Sequence, residues 1–421
     1  MAVGAHLGAA SISTDTGHSS VATDTLWALN QPEKKTDWGW RALHGSVELG
    51  KNMTEAFYKK SIKYSYYSGC STGGRQGLRE IQEFPGSFDG VLIGAPSWYV
   101  SIVNPFAAQL GIYNLPATAP HRIGFEKFAP MNAAVVKQCD ALDGVTDGIV
   151  SSPELCTFDF GAIRCGNAGV DPAACLTDPQ IETAKKIYSD YRSQRGEFWY
   201  PGLTLSSEDT WWILMGGFVE PSPFGTGYIR NFLYDDPTWQ WPQYNDSVVY
   251  EALARDPGRP TAAKYDISPF RARGGKVVLY HGLSDALVAT KGSQLYYNRT
   301  VAAMGNIDSW FRYFEIPGMQ HCAGSSVGAP WNIAGAFQST VMGRDQWSVP
   351  GYRDSNHDAM MGLIDWVEKG EPVDYIVATT WKSQYDYNSG VLRQRPICPY
   401  PKKAVYNGRG GIDHASSWKC G

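Results

Sequence analysis

Patterns of strand and helix alternate on both sides of a long segment that lacks them, and this arrangement most constrains the fold of the chain. Before that segment, an aromatic strand pattern is followed by a glycine-rich turn, a helical pattern and an apolar strand, at 63–68, 75–84 and 91–94. After it, strand, helix and strand patterns follow at 276–280, 291–304 and 310–316. Such units build a parallel sheet covered by helices, so the sequence predicts an α/β fold.

The segment from 97 to 268 is predicted to be an inserted domain. It is rich in proline, glycine and aromatic residues, and it holds four of the eight cysteines. The 421-residue length is typical of more than one domain, so we expect 1–96 and 269–421 to form the catalytic domain. Patterns elsewhere predict a strand at 8–13, helices at 37–51 and 358–369, and a loop-rich C-terminal tail.

The turn after the first strand of the sheet carries a nucleophile motif. Residues 69–73 match Gly-x-Ser-x-Gly, the strained turn that lifts a serine hydroxyl above the sheet in α/β-hydrolases. The pattern recurs at 324–328, but it runs into Ala329-Pro330, where no helix begins smoothly, so we assign that copy to a loop. A strand precedes Ser71 and a helical pattern follows it, so the context favours Ser71 as the nucleophile.

Two later strands end close to the partners that a serine nucleophile needs. An imidazole must take the serine proton, and a carboxylate must orient that imidazole. Asp285 follows the strand at 276–280 and His321 follows the strand at 310–316, in the chain order of α/β-hydrolases. Taken singly, each is better explained as a helix cap or a loop histidine. Together with Ser71 they predict a catalytic triad. The histidines that lack this placement include His18, His44, His281 and His357.

The cysteines and glycosylation sequons favour an oxidising, secretory setting. The sequons lie at Asn52, Asn245 and Asn298. Short separations suggest the pairs Cys139–Cys156, Cys165–Cys175 and Cys398–Cys420, which leave Cys70 and Cys322 for each other. This pairing is one hypothesis among the 105 that eight cysteines allow. If Cys70 and Cys322 join, their bridge holds Ser71 beside His321 across about 250 residues.

Charge and hydropathy exclude several classes of partner. The formal net charge is −4, which gives no electrostatic reason to expect nucleic acid or an anionic membrane. No apolar stretch reaches the roughly 18 residues of a membrane span. The first ten residues lack the features of a secretory signal, so we expect either an upstream start or export by an unusual route. Oligomeric state is not predicted.

An acidic run lies in the inserted segment. Asp140, Asp143 and Asp147 fall within eight residues, among glycines that allow tight turns. Side-chain and backbone oxygens in such a run can wrap a hard cation, although the spacing is not that of an EF-hand. The spacing alone leaves a calcium site and an ordinary Asp-Gly turn run equally open. A structural role is favoured over a catalytic one, because the run contains no histidine.

Seven sequence blocks resemble the tannase and feruloyl esterase family of secreted fungal and bacterial ester hydrolases. They are STDTGHSS, GCSTGGRQGL, FDGVLIGAP, CDALDGVTDGI, HGLSDALV, PGMQHC and RPICPYP, and they span residues 11 to 401. The resemblance implies an α/β-hydrolase with a large lid domain inserted between nucleophile and acid. It implies Ser71 as nucleophile, Asp285 as acid, His321 as base, and a bridge between Cys70 and Cys322 behind them.

The resemblance also implies a cofactor and a substrate. A structural calcium ion is expected, bound by Asp140, Asp143 and Asp147 and by the carbonyls of Val145 and Ile149. The implied substrates are small esters of phenolic acids or feruloylated polysaccharide, with hydroxycinnamoyl esters ahead of the galloyl esters of tannins. Four aromatic residues of the inserted segment are equally typical of a ring pocket and of a lid core: Trp211, Trp212, Phe224 and Tyr228.

The sequence departs from the family before its first sheet strand. Only one strand candidate precedes the strand that leads into the nucleophile turn, so N-terminal strands are expected to be missing, together with the glycine-rich loop that supplies one oxyanion-hole amide. The other amide is expected from Thr72, and losing one donor costs on the order of 3 kcal/mol of transition-state stabilisation. The rival hypothesis is therefore a catalytically impaired, calcium-binding fragment. A peptidase is a second rival, for which no peptide-binding pattern is present.

Overall fold

The computed structural model describes residues 1–343 and 347–421. Its strands are β1 (Tyr66–Cys70), β2 (Gly90–Gly94), β3 (Tyr191–Arg192), β4 (Phe198–Tyr200), β5 (Lys276–Gly282), β6 (Phe311–Ile316), β7 (Ile376–Ser383), β8 (Asp386–Ile397), β9 (Ala404–Tyr406) and β10 (Trp418–Cys420). The first two strands, β5 and β6 form a parallel sheet in the order β1-β2-β5-β6. The other strands form antiparallel pairs β3–β4, β7–β8 and β9–β10.

Helices cover the sheet and build the inserted segment. The α-helices are α1 (Ala2–His6), α2 (Pro32–Thr36), α3 (Ala42–Tyr58), α4 (Thr72–Glu83), α5 (Val100–Tyr113), α6 (Phe128–Cys139), α7 (Asp178–Tyr188), α8 (Trp212–Met215), α9 (Pro223–Gly227), α10 (Asp246–Arg255), α11 (Ser268–Ala272), α12 (Thr290–Met304), α13 (Gln338–Met342) and α14 (Ala359–Lys369). Two π-helical turns, Asp37–Arg41 and Tyr228–Tyr234, extend α3 and α9. Within the described residues, no helix has the length and apolar character of a membrane span.

Alternate residues of the sheet strands face two separate cores. Val91 and Ile93 of β2 pack with residues of α4 and α12, including Leu78 and Tyr296. The intervening Leu92 packs on the other face with α14. Apolar burial on both faces explains why the strands appear in the sequence as short continuous apolar runs, as is typical of parallel sheets. The predicted α/β fold is confirmed.

The inserted segment shares a core with the sheet. Trp98, four residues after the end of β2, is fully buried and donates its Nε1–H to the Gly292 carbonyl of α12 at 2.9 Å. Its ring lies against Tyr200 and Tyr265 of the inserted segment and against Tyr296 of α12. One continuous apolar cluster therefore joins both parts of the chain. The domain boundaries stay a prediction, as does the expectation that N-terminal strands are missing before β1.

Two predicted elements differ from the structure. Residues 8–13 form no strand, because an apolar run needs a neighbouring strand to supply its hydrogen bonds, and residues 8–13 pair with none among the described residues. The C-terminal region is more regular than the predicted loop-rich tail, since β7 and β8 form a long hairpin. Much of β8 is exposed, so its sequence lacks the apolar alternation that would have indicated a strand.

The position of Trp98 makes a testable prediction about stability. Trp98→Ala removes a fully buried ring and an indole hydrogen bond, and we expect unfolding to become about 3–5 kcal/mol easier. Trp212→Ala is the matched control, because Trp212 is 51% exposed and its loss should cost far less. Denaturant unfolding monitored by circular dichroism measures both variants. Equal losses in the two variants would contradict a junction core at Trp98.

Candidate active site

Ser71 occupies a strained turn between β1 and α4. Its φ of 62° and ψ of −123° lie where non-glycine residues rarely occur, and such a conformation costs of order 1–3 kcal/mol. The Ser71 amide donates to the Gly94 carbonyl at 2.9 Å, which fixes the turn to the end of β2. At Gly69, a Cβ would lie 2.7 Å from the Gly73 carbonyl carbon, so the tight turn requires glycine there. This geometry presents the hydroxyl at the carboxyl edge of the sheet.

Asp285 and His321 form a direct pair at the same edge. The His321 Nδ1 lies 2.6 Å from Asp285 Oδ2, and the amides of Leu287 and Val288 donate to Asp285 Oδ1 at 2.8 and 2.9 Å. The aspartate is fully buried. Burial by itself raises the pKa of Asp285, but the charge of His321 and the hydrogen bonds from His281 and His321 outweigh burial and lower this pKa below its usual range. Asp285 is therefore an ionised acceptor.

A second histidine contacts the same carboxylate. Nε2 of the fully buried His281 lies 2.9 Å from Asp285 Oδ2 and 3.0 Å from the Val288 carbonyl, and its Nδ1 lies 2.8 Å from Ser293 Oγ. A carboxylate and a carbonyl only accept hydrogen bonds, so Nε2 carries the proton and Nδ1 accepts from the Ser293 hydroxyl. His281 is a functional residue that the motif spacing does not predict. The available signal was a histidine inside an apolar strand, four residues before the acid.

A disulfide links the neighbours of the predicted nucleophile and base. Cys70 and Cys322 are joined, with their Cα atoms 6.1 Å apart across a sequence separation of 252. His321 Nε2 is buried and has no hydrogen-bond partner among the described residues. The imidazole thus directs Nδ1 to Asp285 and keeps Nε2 unengaged, which is the arrangement in which a histidine can accept a proton from a serine hydroxyl.

Thr72 is the first residue of α4, and Ser71 is the residue that precedes the helix. The first amides of an α-helix have no acceptor within the helix, and the helix dipole favours negative charge there. The Thr72 amide is therefore suited to stabilise an oxyanion beside Ser71. The second Gly-x-Ser-x-Gly match lies in a loop at 324–328, as expected, and its central Ser326 is exposed.

The acidic run forms a turn after α6 in which each of the three carboxylates accepts at least one hydrogen bond from a backbone amide, Asp143 through Oδ1 from Val145 at 2.9 Å. Asp140 accepts hydrogen bonds from the amides of residues 147 to 149, at 2.8–3.3 Å. Asp147 is buried and forms an ion pair with the buried Arg395 of β8. Asp143 Oδ2 is buried without a partner among the described residues, and burial raises the pKa of Asp143.

These observations bear on the expected calcium ion. The donors are hard oxygens, and the orphaned Asp143 Oδ2 is a group whose charge a cation would balance. No group of three or more His, Cys, Asp or Glu side chains is arranged for metal binding within the part of the chain that the structure describes. The carbonyls of Val145 and Ile149 lie in the same turn. Calcium binding therefore stays a prediction.

The remaining predicted residues are placed as follows. The other three disulfides join Cys139–Cys156, Cys165–Cys175 and Cys398–Cys420, so the hypothesised pairing is present throughout. The three sequon residues, Asn52, Asn245 and Asn298, are exposed. Trp211 and Tyr228 are buried in the core of the inserted segment, which favours the lid-core interpretation for both. Trp212 is half-exposed, and Phe224 packs at the edge of the core.

Comparisons with known proteins agree on one family. The family described as "Tannase and feruloyl esterase" matches residues 1–221 and 230–421. A probable feruloyl esterase B from Aspergillus clavatus is 32% identical over 100% of this chain and 77% of its own length. A probable feruloyl esterase B-1 from Neosartorya fischeri is 34% identical over 98% and 76%. The solved structure of feruloyl esterase B from Aspergillus oryzae has a TM-score of 0.90 at 29% identity, covering 100% of this chain and 82% of that chain.

The disulfide beside Ser71 makes a prediction that needs no substrate. Replacing Cys70 and Cys322 by alanine frees a loop of 252 residues, so we expect a loss of about 5 kcal/mol in unfolding free energy. Released from the bridge, Ser71 and His321 lose alignment, and labelling of Ser71 by a fluorophosphonate should slow on the order of 100-fold. Replacing Cys165 and Cys175, only 10 residues apart, should cost about 3 kcal/mol and leave labelling intact. Unchanged labelling without the Cys70–Cys322 bridge would refute a positioning role.

Proposed function

The chain belongs to the tannase and feruloyl esterase family and is a carboxylic ester hydrolase, and from this premise we propose that it cleaves esters of phenolic acids through a serine acyl-enzyme. The observation that carries the proposal is the pair of the buried Asp285 with His321, joined by a disulfide to the strained turn that holds Ser71. An activated serine needs this combination of base, orienting acid and exposed hydroxyl.

Each residue of the triad has one role in the proposed reaction. His321 Nε2 takes the hydroxyl proton while Ser71 Oγ attacks the ester carbonyl, and the same proton then goes to the leaving alcohol. Asp285 holds Nδ1–H, which sets the tautomer of His321 and stabilises the imidazolium. Water then attacks the acyl-enzyme by the same route and releases the acid. The Thr72 amide stabilises the oxyanion in both steps.

The inserted segment acts as a lid over this chemistry. Its Ser206 Oγ lies 3.3 Å from Ser284 Oγ, and Ser284 directly precedes Asp285. Both serines are buried, so the segment closes the carboxyl edge of the sheet at the acid. Excluding water around Asp285 strengthens its interaction with His321. Four disulfides are typical of a protein in an oxidising compartment, because thiols stay reduced in the cytosol. We therefore infer that the enzyme acts outside the cell.

Feruloyl and other hydroxycinnamoyl esters of plant polysaccharide are the preferred substrate class. The support comes from the relatives named feruloyl esterase B, which match almost the whole chain. A galloyl ester specificity is the alternative within the family. The tannin acyl hydrolase from Aspergillus niger shares 22% identity at a TM-score of 0.77, which is a likeness of fold only.

Removing the nucleophile tests the mechanism. Ser71→Ala should lower kcat/KM for methyl ferulate by at least about 10⁴-fold, because the acyl-enzyme no longer forms. Ser326→Ala is the matched control, since Ser326 is the central serine of the second Gly-x-Ser-x-Gly match and should leave kcat/KM unchanged. Parallel assays use methyl gallate and a peptide. Faster cleavage of methyl gallate would favour the tannase alternative, and faster cleavage of the peptide would favour a peptidase. Absence of turnover by the wild-type chain would favour the impaired fragment.

We also propose that the acidic turn holds a structural calcium ion through Asp140, Asp143 and Asp147 and the carbonyls of Val145 and Ile149. At calcium a hundredfold above Kd, binding should stabilise the fold by about 2.7 kcal/mol. Tm measured with calcium and with EGTA reports this change. Asp143→Asn should abolish the calcium-dependent rise in Tm, whereas Asp386→Asn, at the exposed end of the β7–β8 hairpin, should keep it. An identical Tm with calcium and with EGTA in the wild-type chain would refute the site.

A further inference from the structure

A cleft of about 550 Å³ lies between the inserted segment and α12, apart from the candidate active site. Leu283, Lys291 and Gln294 line it from the catalytic side. The inserted segment contributes the rings of Phe158, Phe160 and Tyr188 and the charged side chains of Glu154 and Lys185. Neither Ser71 nor His321 is among the lining residues. The volume is within the range of small-molecule sites, and the cleft is open to solvent.

Three rings form one wall of this cleft. The Phe158 and Phe160 ring centroids lie 5.0 Å apart at a steep angle, and the Phe160 and Tyr188 centroids lie 6.3 Å apart. All three side chains are half-buried. The Tyr188 hydroxyl is engaged by the buried carboxylate of Glu208 at 2.7 Å, so this ring is held in place. Fixed aromatic edges and faces of this kind favour a flat, ring-bearing ligand.

The same cleft contains a charged group without a partner. Lys291 is half-buried and makes no hydrogen bond or ion pair among the described residues. Burial lowers the pKa of Lys291, partly opposed by Asp190. A ligand that brings a negative charge would satisfy this lysine.

The other charges of the cleft are already balanced. Glu154 is paired with Lys403, and Lys185 is paired with Glu182 at 2.8 Å. Lys291 is therefore the lining charge left unpaired within the described residues. Its position at the start of α12 adds the helix dipole, which also favours an anion.

We propose that this cleft is a second site that binds a free aromatic carboxylate, with its ring against Phe158, Phe160 and Tyr188 and its carboxylate on Lys291. The ligand class rests on the proposed function, because hydrolysis of a phenolic ester releases an aromatic acid. Leu283 lines the cleft two residues before Asp285, so a bound acid lies close to the chain segment that carries the catalytic acid.

Calorimetric titration of ferulate into the full chain carrying Ser71→Ala tests the site without any turnover. Adding Lys291→Met should weaken ferulate binding at least tenfold, because the charge-assisted hydrogen bond is lost. Lys137→Met is the matched control on an exposed lysine of α6 outside the cleft, and it should bind like the parent. Methyl ferulate, which has no carboxylate, should bind the Lys291→Met variant and the parent equally.

Each remaining outcome decides the proposal. Absent ferulate binding, or equal binding by the Lys291→Met and Lys137→Met variants, overturns it. Binding of glucuronate in place of ferulate overturns the ligand class. If Lys291→Met in the otherwise wild-type chain lowers kcat/KM for methyl ferulate as strongly as it weakens ferulate, the cleft is part of the substrate site and the second site is refuted. The binding measurement uses the Ser71→Ala variant and needs no turnover. Its outcome therefore does not depend on whether the wild-type chain shows the proposed hydrolase activity.

Discussion

The buried carboxylate of Asp285 is the interaction on which the candidate active site depends. It accepts hydrogen bonds from two imidazoles and two backbone amides, and no water-exposed surface remains on it. A buried charge is tolerated only when it is paired and fully hydrogen-bonded. The amides of 287 and 288 and the ring of His281 therefore stabilise Asp285 before His321 is considered. His321 is then oriented by a carboxylate that has no freedom to turn.

The parallel sheet brings these groups to one edge. Cys70 lies opposite Gly94, and Gly94 lies opposite Tyr280, so β1, β2 and β5 end at nearly the same level. The next strand, β6, ends opposite Gly282 at Ile316. Ser71, Asp285 and His321 are far apart in sequence, but each follows the end of a strand, and the hydrogen bonds of the sheet align these strand ends. The disulfide then joins the first and last of these turns covalently.

Much of this arrangement could be predicted from the sequence, because strands buried on both faces are apolar runs and helices beside them are amphipathic. The strands predicted at 276–280 and 310–316 begin within one residue of the observed starts of β5 and β6. His281 was missed because a histidine inside an apolar strand has the appearance of a core residue until its partners are known. The ion pair of Asp147 in the acidic turn could not be predicted either, since its partner Arg395 lies 248 residues later in the chain. The β7–β8 hairpin was missed because its second strand is largely exposed and so carries no apolar pattern.

The core shared by the sheet and the inserted segment limits how the enzyme can admit a substrate. Trp98, Tyr200 and Tyr296 belong to one buried cluster, so swinging the inserted segment away as a rigid body would expose their rings to water. Exposure of each large side chain costs about 1.5–3 kcal/mol, and the cluster contains many of them. An open state of that kind would be too sparsely populated to serve each catalytic cycle. Moving the whole inserted segment as a rigid body is therefore too costly to accompany each entry of substrate and each release of product.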